Sequence, residues 1–170
     1  DLVYWGRQVG LLDEESAARL SREAARHPRK ASEALAGAIR AREALRSALD
    51  GVLDRREAAP ETVRELNRWI ADALAHRRLI PGGNGCLQLG WEDDGDLLAF
   101  LRPVAADAAD VLAGGALEGG LIRRCELDSC EWVFIDETRN RSRRWCSMKD
   151  CGNRAKARRH YERVKAKRVS

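Results

Sequence analysis

No apolar run in these 170 residues approaches the length a membrane-spanning helix needs, so no bilayer-crossing helix is expected. There are no internal repeats and no low-complexity tract, which excludes a repeat architecture. Histidine is scarce, three residues in all, and His27 and His76 stand isolated on expected helices. No Ser/His/Asp set and no paired carboxylates surround them, which argues against a small-molecule enzyme. No histidine falls between Glu131 and Trp145, where a treble-clef nuclease would need its base. The expectation is therefore a protein that is not an enzyme. No secretory segment is visible; the chain begins at Asp1 rather than Met, so an N-terminal piece is expected to be missing from the first domain, and a cleaved signal is left open.

What is present is charge, unevenly placed. From residue 123 onward there are 15 Lys+Arg against 7 Asp+Glu, a net +8, whereas the first 122 residues hold 16 against 20, a net −4. A polyanionic partner is thus expected at the C-terminal end. A third of the residues are charged and 44% are hydrophobic, a balance that fits a globular, soluble chain. The length suits one ordinary domain and one small one.

Four of the five cysteines fall in that basic end as Cys125-x4-Cys130, fifteen residues, then Cys146-x4-Cys151. Two close pairs joined by a loop let a short chain wrap one tetrahedral Zn²⁺ in four thiolates, a closed and therefore structural site. Disulfides across the same pairs would suit a secreted scaffold; the chain length and the odd Cys86 speak against them. Arg124, Lys149 and Arg154 flank the ligands and are expected to offset the site's charge of −2. Cys86 reads as a buried apolar thiol.

The stretch Cys130-Glu131-Trp132-Val133-Phe134, the run Thr138-Arg139-Asn140-Arg141-Ser142-Arg143-Arg144-Trp145-Cys146-Ser147 and Cys151-Gly152-Asn153-Arg154 together resemble the CGNR zinc finger family over most of the finger's length. The resemblance implies a C-terminal finger behind an α-rich domain termed ABATE, to which Gly10-Leu11-Leu12 and Pro103-Val104-Ala105 are similar more loosely. It further implies a stress-linked bacterial transcription regulator, cytoplasmic and nucleoid-associated, with DNA as partner. A small-molecule or protein effector at the N-terminal domain and a homodimer are compatible with that reading; a membrane partner is not.

The expected fold is mostly α within the α+β class, an α-helical domain with a small β-hairpin over residues 1–119, then a treble-clef-like ββα finger over 120–170. A short apolar helix ends at Gly10; Asp13 caps a second that Pro28 closes; Ser32 is expected to cap the longest; Pro60 opens a fourth. Glycines at 82, 83 and 85 turn the chain into a hairpin strand running to Trp91, and the phosphate-cradle reading of that loop lacks a Lys-Ser/Thr and a following helix. Asp93, Asp94 and Asp96 around Gly95 read as a turn. From Asp96 a helical face continues across Pro103, to kink or begin there, and ends at Gly114-Gly115, with residues 116–120 as a connector.

In the finger, residues 132–135 read as a strand, 136–141 as a turn, 142–146 as a second strand, and Cys151 as the start of the last helix. Ala157, Tyr161 and Val164 form its packed stripe, with Trp132 and Trp145 in the small core and His160 on the helix surface. The nucleic-acid-binding residues are expected to be Arg139, Arg141, Arg143 and Arg144 in the loop and Arg154, Lys156, Arg158, Arg159, Arg163 and Lys167 on the helix. The competing function is an RNA-binding or protein-docking zinc module without sequence-specific DNA recognition.

Overall fold

The computed structural model describes residues 1–114 and 121–169, with side chains on the last helix described as far as Ala166. The chain divides into two compact units, Asp1–Ala113 and Gly114–Ser170. The connector expected at residues 116–120 and Gly115 lie outside the described residues.

The first unit is helical: α1 Leu2–Gln8, α2 Glu14–Arg26, α3 Pro28–Leu53, α4 Pro60–Ala75 and α5 Arg102–Ala113, with strands β1 Arg77–Pro81 and β2 Leu87–Trp91 between the last two helices. Asp13 caps α2 by accepting from the Ser16 amide at 2.7 Å, which also lowers its pKa. Pro28 both ends α2 and opens α3, so the cap expected at Ser32 is displaced five residues upstream to His27. The reason is proline's fixed φ and missing N–H, which suit a first helical position and spare the helix an orphan donor. Pro103 is the second residue of α5, which follows a 3₁₀ turn at Ala99–Leu101.

α3 turns Ala41, Ala44, Ala48 and Gly51 inward, a spacing that puts small residues along one face. Ala44, Ala48 and Leu66 of α4 form one buried cluster, covered by Leu45, Trp69, Ile70 and Leu112. A second cluster gathers Leu12, Ala17, Leu20 and Leu97 under Val3, Ala31, Ala34 and Phe100. Each buried leucine contributes about 2 kcal/mol, whereas the alanines contribute mainly by letting the helix axes approach.

β1 and β2 pair antiparallel with Leu79 opposite Leu89. The loop closes through Gly82 N–H to the Cys86 carbonyl at 2.8 Å, with φ positive at Gly83, Asn84 and Gly85. Cys86 is exposed at this tip, not buried as expected, because a tight turn holds its side chain away from both cores.

The hairpin's end meets an ion pair between a buried arginine and an exposed aspartate that the sequence did not announce. Arg102 is 3% exposed, donates to the Glu92 carbonyl at 2.8 Å and to Asp94 Oδ2 at 2.7 Å, and holds the Asp94 carboxyl well below its usual range. His76, expected to be isolated, instead places Nε2 3.0 Å from that same Asp94 oxygen. The aspartates do form the expected turn, Asp94 accepting from the Asp96 amide and Asp93 from the Gly95 amide.

The second unit has strands β3 Ile122–Arg124 and β4 Val133–Ile135, paired antiparallel, then a π-helical turn Met148–Gly152 that runs into α6 Asn153–Val169. The partner of β4 is therefore β3, ahead of the first cysteine, and not residues 142–146. That segment is used otherwise: the Arg143 amide donates to Asp136 and the Arg144 carbonyl accepts from Glu126, so its backbone has no strand to pair with. Cys151 lies in the π-helical turn, two residues before α6 begins, because Ser147 caps the turn from outside, accepting from the Asp150 amide at 3.2 Å.

Candidate metal centre

The four thiols expected to bind metal converge. Cys125 follows β3, and its amide extends the ladder to the Trp132 carbonyl at 2.9 Å. Cys130 ends a tight knuckle in which its amide bonds the Leu127 carbonyl at 2.7 Å. Cys146 and Cys151 bracket the Ser147 cap. All four Sγ atoms lie within 4.8 Å of one another, with Cys130–Cys146 at 3.7 Å and Cys146–Cys151 at 3.6 Å.

These distances decide between the two chemistries left open above. A disulfide needs sulfurs about 2.05 Å apart. A tetrahedral zinc with Zn–S of about 2.3 Å needs them about 3.8 Å apart, which is what the cluster provides. The four residues fit one structural zinc, and four thiolates leave no coordination position for water or substrate.

The protonation pattern agrees. Burial opposes ionisation of Cys125, but the amides of Cys146 and Leu127 point at its sulfur and bring it down to about 7. Burial pushes Cys151 up to about 12 and also raises Cys146, since neighbouring thiolates cannot all ionise together. A divalent cation removes that conflict and displaces the remaining protons. The negative charge is thus met at Cys125 by backbone N–H groups, whereas Arg154, expected to offset it, reaches the Ser129 hydroxyl at 3.1 Å. Lys149 serves through its carbonyl, which accepts from Asn153 Nδ2 at 2.8 Å.

The Cys151-Gly152-Asn153-Arg154 run now has a physical reading. Cys151 is the ligand; a Cβ on Gly152 would lie 2.4 Å from Met148 Sδ; Asn153 closes the turn onto Lys149; Arg154 ties the helix to the knuckle. Around this lies the unit's core, Cys125, Leu127 and Cys151 buried, with Phe134, Trp145 and Ala155 against them.

Asp136, taken from sequence as the start of a turn, has a fully buried side chain. It accepts from Thr138 Oγ1 at 2.5 Å, the Thr138 amide at 3.1 Å, the Arg143 amide at 2.9 Å and Arg123 at 3.3 Å. The Thr138 hydroxyl, then the Arg143 and Thr138 amides, hold its carboxyl at about 2. The Asp-x-Thr spacing, an Asx-turn signal, was the clue available in the sequence.

The basic residues divide by what they touch. Arg143 lies over Phe134 and donates to the Trp145 and Cys146 carbonyls, and Arg144 lies 5.1 Å from the Trp145 ring and pairs with Glu126 at 2.5 Å. Arg158 pairs with Asp128 at 2.7 Å. Arg141 sits at φ +47°, its carbonyl accepting from Arg123. Arg139, Lys156 and Arg163 meet no carboxylate among the described residues, and Arg159 bonds the Ala155 carbonyl and faces Trp145 at 5.9 Å. Lys156, Arg159 and Arg163 line one shallow groove along α6 with Glu162 and Ala166. The side chain of Lys167 lies outside the described residues.

Two expectations fail in this unit, one of them on the helix. Ala157 and Tyr161 are exposed, Tyr161 by 68%, so the stripe with Val164 is not a packing seam; Ala155 makes the core contact instead. A core filled by Phe134, Trp145 and four sulfurs has no room for it. Trp132 is likewise outside the core, 72% exposed, while Trp145 is half-buried as expected. His160 is exposed on the helix.

No helix among the described residues is long and apolar enough to cross a membrane. No curated protein matches the chain. Residues 122–164, the span that holds the four thiols, match the family described as CGNR zinc finger. Residues 1–115, more than half of the chain, match the ABATE family, described as "Putative stress-induced transcription regulator", and the chain therefore belongs to that family and carries a CGNR zinc finger at its C-terminal end.

Proposed function

We propose that the protein is a DNA-binding transcription regulator, not an enzyme, acting in the cytoplasm under stress. In this reading the zinc-held finger supplies the DNA contact, and the helical unit senses an effector or dimerises. The observation that carries it is the set of cations without carboxylate partners among the described residues, Lys156 and Arg163 on one face of α6 and Arg139 on the loop, in a segment of net +8. Like charges gathered on one helix face repel one another, and a polyanion relieves them. Arg143, Arg144 and Arg158 are already engaged within the finger and act chiefly by shaping it.

The test is a gel shift with duplex DNA against RNA, followed by a salt titration. Each phosphate neutralised contributes about −0.9 to the log–log slope, so Lys156→Ala, Arg159→Ala and Arg163→Ala combined should flatten it by up to about 3 units with zinc content unchanged. A triple variant that binds with the wild-type slope would remove α6 from the DNA surface. Preference for RNA, or binding to neither, would move the protein to the RNA-binding or protein-docking reading.

A further inference from the structure

Trp132 is the largest side chain that the finger leaves in water, although the unit is short of apolar residues to bury. Its backbone is fixed, since its carbonyl closes the β3–β4 ladder onto Cys125 at 2.9 Å, so the residue presents its indole to solvent from an anchored main chain. It walls an open cleft of about 710 Å³ that the zinc ligands Cys130, Cys146 and Cys151 themselves line, with Ser129, Glu131, Ser147 and Arg154 among the other lining residues. Arg154 belongs to both the cleft and the first turn of α6, so the cleft opens at the start of the basic helix.

The cleft's charge restricts what enters. Asp128 and Asp150 also line it, Asp128 held by Arg158 at 2.7 Å and Asp150 by the Ser147 hydroxyl at 2.7 Å. Glu131 is exposed and has no partner among the described residues. With a thiolate-bound metal adjacent, the cleft repels phosphate, whereas an uncharged ring can stack on the indole and offer an amino group to Glu131. A basic track for the backbone beside an aromatic platform is the arrangement that binds unpaired nucleotides.

We propose that this cleft takes one unpaired nucleobase, stacked on Trp132, with an exocyclic amino group donated to Glu131, while the sugar-phosphate backbone stays on the basic face of α6. The assignment rests on the reading that the finger binds nucleic acid, and it names which form of it. Cytosine and adenine, which carry amino donors, are favoured over thymine.

The experiment uses the zinc-loaded full chain and three labelled probes of one sequence: an intact duplex, the duplex with a single bulged cytosine, and the duplex with a bulged thymine. Wild type binds the cytosine bulge tighter than the intact duplex by about 5- to 150-fold, the range of one base–aromatic stack. Trp132→Ala abolishes that preference yet leaves zinc content and intact-duplex affinity unchanged, Trp132→Phe restores most of it, and Glu131→Gln removes the choice of cytosine over thymine. Equal binding of bulged and intact duplexes by wild type, or a preference that survives Trp132→Ala, overturns the proposal while leaving duplex binding standing. Failure to bind any of the three overturns both readings. Quenching of tryptophan fluorescence by an oligo-arginine peptide that is lost in Trp132→Ala, with no response to the bulge, reassigns the cleft to a cationic protein partner and also overturns it.

Discussion

Asp136 shows how one side chain can fix the shape of a whole loop: four donors from residues 123 to 143 converge on its two oxygens, and the arginines between them are displayed around that centre. Asp136→Asn keeps the size but puts an amide N–H against donors, so we expect a thermal midpoint lower by about 5 °C or more and shifted Thr138 and Arg143 amide resonances, with zinc retained. The pH sign follows from the depressed pKa: the carboxylate's contribution is complete above the ordinary carboxylate range and is lost as pH falls toward about 2. In the helical unit, Arg102 plays the corresponding part for Asp94. Arg102→Ala takes the main partner from that exposed carboxylate and empties the buried space the arginine fills, an expected loss of about 1–2 kcal/mol in urea unfolding of the first unit, chiefly from lost packing.

At the level of elements, the finger is two short strands, a knuckle, a π-helical turn and one helix; the strands and turns are too short to persist alone, and the helix, crowded with like charges, depends on packing against the rest. Metal must supply the missing free energy, roughly 10–16 kcal/mol in comparable finger peptides. Because Cys146 and Cys151 bind metal only after losing protons that burial holds tightly, acid releases zinc: apparent affinity should fall about tenfold per pH unit for each displaced proton, measured by chelator competition between pH 8 and 6. Zinc loss, not protonation of Asp136, therefore limits the finger at low pH. The cysteine spacing, the helices opened by Asp13 and Pro60 and the glycine hairpin were legible because each is a local signal. The β3–β4 pairing, the burial of Asp136 and the Asp94–Arg102 pair were not, since they depend on partners eight to thirteen residues away that no periodicity marks. Tyr161 misled for another reason: its i, i+4 spacing is that of a packing stripe, but the finger's interior is already filled by Phe134, Trp145 and four sulfurs.

For the molecule as a whole, each unit holds its own buried clusters, so we expect chelation to melt the finger, including α6, while the helices of the first unit remain. Circular dichroism before and after chelator would show a partial loss of helical signal; a concerted loss of all of it would show that the two units depend on each other. α6 adds a property of another kind. Its 17 residues span about 26 Å and carry eight Lys+Arg against one Glu, a net charge every 3–4 Å or so, within a small factor of the roughly 1.7 Å spacing along duplex DNA. A rod so densely charged collects its own cloud of anions, just as the duplex collects cations. Binding then discharges both clouds, so affinity depends on which anion fills the buffer, and exchanging chloride for the weakly held glutamate at constant ionic strength should tighten the complex.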